Sequence, residues 1–329
     1  MGKKYNIIIR RVEEEDIVPL SQLYEQVWPG NYDLHLKKTI WAINGSDYNG
    51  LLAEENGQVI GSRTCFRTNL FFDKIPTCCV QLGNSCTDAD HRRMGLFTKM
   101  NQAFLTDFFK TGQELIYNVS VEASRKAYEK LGWTYINSLK SLYYIPNPVS
   151  LLFKVKGKIG MFSGNIKADY APIPSITPLT DELLIKREEF LYKDKLHTKY
   201  DKETIKWRLE TDSCIRLYHD ENLGACIYKL GKKGSLKWIQ IGEIFLKNYT
   251  QYTFNMLINN IQRIHHPDVI EASITIGHPL FSFYKRKRFI GNPKKPYLNL
   301  GVKVLSDKMK NICLNPENWA ISLIDIDTF

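Results

Sequence analysis

Apolar positions change their spacing in a regular succession through the first half of the chain. The stretch "IIIRRV" (7–12) reads as a short strand. Ile17, Leu20, Leu23, Tyr24 and Val27 then recur on one side of a helix, and "YDLHLKKTIWAI" continues as a second helix. "LLAEE" and "QVIGSRTCFRTNLFF" flank Asn56-Gly57, a dipeptide suited to a type I′ turn, so a hairpin is expected. "IPTCCVQLGNSCT" gives the next strand. A helix from about Gly95 to Lys110 follows, then the strand "ELIYNVSV", the helix "ASRKAYEKLG" and the strand "WTYINSLKSLYYI". The order β-α-α-β-β-β-α-β-α-β predicts an α/β sandwich on a mixed, mostly antiparallel sheet, closed by Pro146 and Pro148.

The second half repeats the plan. "VSLLFKVKGKIGMFSGN" bridges the halves, and a new strand is expected from about Ser175. "TDELLIKREEFLYKD" and "KETIKWRLE" are helical, "CIRLYHDENLGACIYKL" is a strand-turn-strand pair, and "LKWIQIGEIFL" is a strand. The helix "YTFNMLINNIQRI", the strand "VIEASIT" and the short helix "PLFSFYKRKRFIG" lead to a final strand. Tyr128 precedes Trp133 by five positions, and Tyr284 precedes Phe289 by five, at the same place in two similar strings of elements. This predicts a diverged tandem duplication, with a domain over 1–148, a linker over 149–174 and a second domain over 175–329.

Composition narrows the field. At 43% apolar and 12% aromatic, the 329 residues can fill real cores. The formal net charge of +10 suits an acidic partner: nucleic acid, an anionic membrane surface or a phosphorylated small molecule. Of these, a small-molecule substrate is expected, without nucleic acid. No apolar run approaches the roughly 20 residues of a membrane span, and no signal peptide is read at the N-terminus, so a cytoplasmic location is expected. The seven cysteines include the neighbours Cys78 and Cys79 but no C-x-x-C pair. They read as reduced thiols, and no metal is expected.

The chemistry concentrates in "CTDADHRRMGLFTKMNQAF", Cys86 to Phe104. Arg92, Arg93 and Gly95 stand between a strand and a helix. A basic helix start opposes the helix dipole unless an anion neutralises it. Free N–H groups, two guanidinium forks and a glycine that admits close backbone approach together suit a pyrophosphate. A G-x-x-x-x-G-K-[ST] loop and a G-x-G-x-x-G fingerprint are absent, which removes support for kinase and dehydrogenase readings.

Arg92-x-x-Gly95-x-Phe97 resembles the acyl-CoA pyrophosphate loop of the GNAT superfamily of N-acyltransferases, with Phe97 where a small residue is usual. "YEKLGW", Tyr128 to Trp133, resembles that family's second signature. The resemblance covers about residues 5–145 and implies two tandem GNAT-like domains, the second degenerate because no Arg-x-x-Gly loop opens its helix. It implies acyl-CoA as cosubstrate, held by Arg92, Arg93, Met94, Gly95, Leu96 and Phe97 at the pyrophosphate, by the backbone of Cys86 and Thr87 along pantetheine, and by Asn118 and Ser124 beside that arm. Tyr128 would be the general acid toward the leaving thiolate.

Many family members use a Glu on the fourth strand as base. Here that strand has no acid, so a water held by Asn84, or bulk solvent, is expected to take the amine proton. Asp88 and Asp90 are alternatives that read as turn residues. Trp28 and Tyr32 lie in the loop that borders the family's acceptor site. The chain looks most like enzymes that acylate nucleotide-linked aminosugars for bacterial surface polysaccharide, with a dTDP-linked 3-amino-3,6-dideoxyhexose as acceptor and acetyl or 3-hydroxybutanoyl as the acyl group. Two other classes stay open: a peptide or protein N-acetyltransferase, and a non-catalytic acyl-CoA or nucleic-acid binding module. In the second half, Lys285 to Arg288 read as a solvated helix face, with contact to a phosphate as the alternative, and Asp325 and Asp327 as solvent-facing acids of an edge strand, with contact to an amine as the alternative.

Overall fold

A computed structural model describes residues 6–30, 32–44, 49–66, 68–110, 112–155, 167–168, 175–191, 194–210, 214–293 and 297–326. In chain order the first elements are β1 (Ile7–Arg11), α1 (Ile17–Val27), α2 (Tyr32–Asn44), β2 (Gly50–Glu55), β3 (Gln58–Phe66), β4 (Leu70–Phe72), β5 (Ile75–Pro76), β6 (Cys79–Thr87), α3 (Leu96–Lys110), β7 (Leu115–Ser120), α4 (Glu122–Lys130), β8 (Thr134–Ile136) and β9 (Leu139–Tyr144). Then come α5 (Pro148–Val155), β10 (Lys167–Ala168), α6 (Asp181–Leu191), β11 (Leu196–Thr198), α7 (Lys202–Leu209), β12 (Ile215–Asp220), β13 (Gly224–Lys233), β14 (Leu236–Leu246), α8 (Gln251–His265), β15 (Val269–Thr275), α9 (Phe281–Arg286), β16 (Ile290–Gly291), β17 (Asn299–Val304) and α10 (Asp307–Leu314).

The first unit holds a seven-stranded sheet in the order β1-β2-β3-β6-β7-β17-β8. Only β6 and β7 run parallel. The pleat sends neighbouring residues to opposite faces. Leu52, Val59 and Cys86 join Leu20, Leu23 and Tyr24 of α1 on one face. Leu51, Cys65 and Val80 join Phe104 of α3 and Tyr128 of α4 on the other. The helical spacing read around Leu20, Leu23 and Tyr24 is therefore the buried side of α1, each of the three at most 2% exposed.

The second unit has a sheet in the order β10-β13-β14-β15-β9-β16, with β12 beside β13, and a small sheet β11-β4-β5. Here β14 and β15 are the parallel pair. A core lies between this sheet and α8, where Phe254, Leu257, Ile258 and Ile261 meet Ile239, Ile241 and Ile270.

The two units are not consecutive halves. β9, expected inside 1–148, pairs with β15 and β16 of the second unit, while β17 returns between β7 and β8 of the first. The expected single strand over 133–145 breaks at Asn137-Ser138, where the Ser138 hydroxyl donates to the carbonyl of Pro316 at 2.6 Å. Periodicity marks a strand but not the sheet it joins. The strand read through Phe72 also breaks after Phe66. At Ser175 there is no strand; residues 175–180 lead into α6. Of the expected linker 149–174, Pro148–Val155 is helical and most of the remainder lies outside the described residues.

This exchange carries a test. A fragment ending at residue 148 lacks the strand that joins β7 to β8, and it exposes their edges together with all of β9. It should aggregate or stay unfolded by circular dichroism, and co-expression with 149–329 should restore a folded pair. A fragment that unfolds cooperatively by itself would contradict the exchange.

Candidate active site

The site begins where two parallel strands part. β6 and β7 pair only from Cys79–Gln81 to Leu115–Tyr117. Three residues on, Asn84 has φ +45°, and the β3–β6 register slips between Ser62 and Thr64. The Ser62 hydroxyl fixes this bulge by donating to the Asn84 carbonyl at 2.7 Å. Past the bulge β6 keeps β3 on one edge, and no described strand pairs with the other. Across the opening stands Asn118, 3% exposed, with no hydrogen-bond partner for its Oδ1. Leaving such an acceptor unmet costs about 1–3 kcal/mol. Its side chain lies over Gly301 of β17, where an added Cβ would stand 2.9 Å from Oδ1. An open strand edge fits a ligand with amide N–H and C=O groups, as pantetheine has.

The anion loop follows directly. Asp88 accepts from the backbone N–H of Asp90 at 3.0 Å and lies 2.6 Å from Nδ1 of His91, whose Nε2 is 3.2 Å from Glu55. Asp88 and Asp90 are therefore turn residues, as read. Burial is the largest single influence on Asp88 and opposes its ionisation, but the His91 bond, the backbone N–H groups of Asp90 and Ala89 and the charge of His91 together hold the carboxyl below its ordinary value. The bond to Asp88 is likewise what raises the His91 imidazole. Arg92 and Arg93 are exposed, and Arg92 Nε donates to the Thr87 carbonyl at 3.4 Å. Arg93 and Gly95 both have positive φ, +66° and +76°. For Arg93 that conformation costs about 1–2 kcal/mol. Leu96 is buried with Ala53, Ile60 and Met100, and Met94 packs on the same cluster. Their side chains anchor the loop, so their backbone is what can face an anion. An added Cβ on Gly95 would meet nothing within 4 Å, which leaves the start of α3 open.

Tyr128, 2% exposed, sits on α4 between the rings of Phe97 (5.1 Å, edge-on) and Trp133 (4.9 Å). This is where Phe97 goes in place of a small residue: its ring turns into the core beside Tyr128, away from the loop. Ser124 is half-buried, and its hydroxyl donates to the Val121 carbonyl at 3.1 Å. Cys86 points to the α1 face beside Ser62 Oγ at 3.4 Å. Burial pushes its thiol up to about 12, so Cys86 is no ready nucleophile, and the Thr87 carbonyl already accepts from Arg92.

On the α1 side, Trp28 ends α1 and stacks on Tyr24 at 5.7 Å. His35 Nε2 lies 2.9 Å from the Trp28 carbonyl. Tyr32 opens α2 and is half-buried. Trp28 is 43% exposed, so an aromatic face stands beside the loop between the helices. Tyr24 was not singled out from the sequence. It is buried, and burial raises its phenol against the pull of nearby Ser62 and Thr64. Arg63 was also passed over. It is a charge at an inward position of "VIGSRTCF", 1% exposed, and that misplaced polarity was the available signal.

The second unit builds the same opening and fills it. β14 and β15 pair only from Trp238–Ile241 to Val269–Ala272. Beyond that point the chain's own tail enters. The Thr275 N–H donates to the Ile321 carbonyl at 3.1 Å, and the Ile321 N–H donates to Thr275 Oγ1 at 3.0 Å. Ser322 Oγ donates to Glu243 at 3.3 Å. Glu243 is the carboxylate on this fourth-strand equivalent, and Arg187 holds it at 2.6 Å with both groups 2% exposed. Asp325 is fully buried, accepting from the Tyr200 hydroxyl and the Ser322 N–H. It is not a solvent-facing acid of an edge strand, because the tail forms a 3-10 turn at Leu323–Asp325 instead. Asp327 lies outside the described residues. Thr250 caps α8 with its own hydroxyl, the place where Gly95 precedes α3. Lys285, Arg286 and Arg288 are exposed, as read, while Lys287 is half-buried and bonds Asn259 at 2.5 Å. Among the described residues no group of three His, Cys, Asp or Glu can hold a metal ion, and no helix is long and apolar enough to cross a membrane.

The loop's charge cluster has a pH signature. The folded-state imidazole of His91 is the more basic, so its contribution is complete below its ordinary 6.5 and disappears as pH rises through the raised folded value. His91→Asn should therefore lower the thermal midpoint most in mildly acidic buffer and less at alkaline pH. A difference that grows with pH would contradict the ion cluster.

A family model of the acetyltransferase (GNAT) domain matches residues 8–136. No curated protein matches the chain. Its fold is similar to a GCN5-related N-acetyltransferase from Kribbella flavida, at 11% identity over 92% of this chain and 71% of that chain, TM-score 0.62. It is also similar to one from Anabaena variabilis, at 10% identity over 92% and 73%, TM-score 0.62. A putative acetyltransferase from Pyrococcus horikoshii aligns over 96% of this chain and 94% of its own, at 12% identity and TM-score 0.56. Residues 8–136 carry an acetyltransferase (GNAT) domain, and over most of its length the chain shares the fold of GCN5-related N-acetyltransferases.

Proposed function

We propose that the first unit transfers an acyl group from acyl-CoA to the amine of a nucleotide-linked aminosugar, with a dTDP-linked 3-amino-3,6-dideoxyhexose as the specific acceptor and acetyl or 3-hydroxybutanoyl as the acyl group. The observation that carries the acyl-CoA part is the parting of β6 from β7, directly before the Arg92–Phe97 loop. Acyl-CoA supplies an activated acyl carbon. Arg92, Arg93 and the N–H groups at the start of α3 bind its diphosphate. The β6 edge around Cys86 and Thr87, with Asn118 and Ser124, lines the pantetheine arm. Tyr128 gives its hydroxyl proton to the departing sulfur as the acyl carbon–sulfur bond breaks and the carbon–nitrogen bond forms. The proton lost by the amine leaves through a water held at Asn84. The second unit is a degenerate copy, its opening occupied by residues 319–326, so one acyl-CoA should bind per chain by calorimetry.

The acceptor reading comes from β6, which has no carboxylate. A lysine amine, at a pKa of about 10.4, is almost wholly protonated near neutrality and needs a dedicated base. A sugar amine beside electron-withdrawing oxygens is less basic, so a weak water-mediated base suffices. Trp28 and Tyr32 supply flat surface for such an acceptor.

Two measurements test these roles. Tyr128→Phe should lower kcat by about 10²–10⁴-fold with acetyl-CoA affinity nearly intact; a variant within twofold of the parent removes Tyr128 from the mechanism. The pH midpoint of the rate should follow the acceptor when two nucleotide sugars of different amine basicity are compared. A midpoint that stays fixed means that an enzyme group is the base, and the acceptor argument fails.

A further inference from the structure

We propose that Arg63 is a positioning residue for acyl transfer: from the middle of β3 its buried guanidinium holds the Tyr128 ring and makes the hydroxyl a stronger acid. The proposal rests on the reading of Tyr128 as the proton donor.

Arg63 is among the largest fully buried side chains, 1% exposed. Its carbon Cζ stands 5.2 Å from the centroid of the Tyr128 ring, inside the roughly 6 Å reach of a cation–π contact. Nε donates to Asn101 Oδ1 at 3.1 Å. Asn101, also 1% exposed, is fixed in turn by donating to the Phe97 carbonyl at 2.8 Å. Nη2 is buried with no partner, and no carboxylate of the described residues lies within ion-pair distance of the group. Burying an unpaired cation is costly, and a strand centre does not keep one for packing alone.

The second unit supplies an internal comparison. Tyr284 occupies the matching place, edge-on to Phe254 and Phe289 at 4.9 Å each, much as Tyr128 meets Phe97 and Trp133. No described cation stands over the Tyr284 ring, and burial pushes its phenol far up. A tyrosine can thus be packed in this framework without a guanidinium. The cation appears in the unit whose opening no described strand closes and whose helix start carries the Arg92–Phe97 loop.

The physical effect has one sign. A fixed positive charge favours phenolate over phenol and opposes the effect of burial. A general acid nearer the working pH gives up its proton more readily. The other titratable or charged groups around Tyr128 do not substitute for it. Cys65 from β3 is kept neutral by burial. Tyr135 from β8 shares a hydrogen bond with Ser120 at 2.8 Å and has Arg125 over its own ring. Arg125 is paired with Glu129 on α4. Lys303 of β17 donates to the carbonyls of Leu131 and Gly132, past the end of the helix.

The test places a fluorinated tyrosine at 128 in the full chain, so that its more acidic phenol titrates within the folded range and is read by fluorine NMR. Against this parent, Arg63→Met should raise the midpoint by about one pH unit or more, and Arg63→Lys should bring it back toward the parent; Arg63→Gln replaces the methionine variant if that one fails to fold. In parallel, thiol release from acetyl-CoA with the dTDP-linked aminosugar should fall in Arg63→Met at unchanged acetyl-CoA affinity, and Arg63→Met should add no further loss in a Tyr128→Phe background. An unshifted fluorine midpoint overturns the role of Arg63 while leaving Tyr128 untouched. A Tyr128→Phe enzyme with parental rate overturns the proposal through the donor reading instead, whatever the fluorine signal does.

Discussion

Everything at the site depends on three backbone pairs and no more between β6 and β7. A sheet normally continues until its polar groups are met, because each buried N–H or C=O left alone is costly. Here the bulge at Asn84, stapled by Ser62, turns β6 away after Gln81. The parting creates an edge that calls for a partner of strand-like chemistry. The same parting also sets the entry to the next turn, since the chain that leaves Thr87 must fold back over Asp88 and His91 before α3 begins. Strand edge and anion loop are thus consequences of one local distortion.

The two units show what can be done with such an edge. In the second, the tail lies against Thr275 and Glu243, and Arg187, Tyr200, Ser322 and Asp325 complete each other's hydrogen bonds. A carboxylate at Glu243, the residue type read as missing from β6, is present there but neutralised by Arg187. The strand exchange ties the units through covalent connectivity: β17 completes the first sheet and β9 the second. Loss of either strand removes an interior strand, next to the edge, and strands the edge strand beyond it.

Much of this was readable before any coordinates. The helix α1, the Asn56-Gly57 hairpin, the Arg92–Gly95 loop and the Tyr128 helix follow from periodicity, turn chemistry and a charge pattern that contradicts the helix dipole. What escaped was nonlocal. Leu139 to Tyr144 alternates as well for one sheet as for another, so its destination in the second unit had no local signature. The tail around Asp325 alternates like an edge strand, yet its acid is buried by Tyr200 and Ser322, partners 125 and 3 residues away. Arg63 was visible as a polar residue in an apolar strand, but its meaning needed Tyr128, which arrives 65 positions later in the chain.

Where the units differ, they differ in unmet polarity. Asn118 Oδ1 and Arg63 Nη2 are both buried and both without partners. Each costs stability, by about 1–3 kcal/mol for a neutral group and more for a charged one. A fold can carry that cost when the rest of it is well packed, as the buried faces of this sheet are. The second unit has removed the cost at its own opening by using its tail as the partner. The first keeps a buried acceptor at Asn118 and a buried guanidinium nitrogen at Arg63 that nothing in its own fold meets.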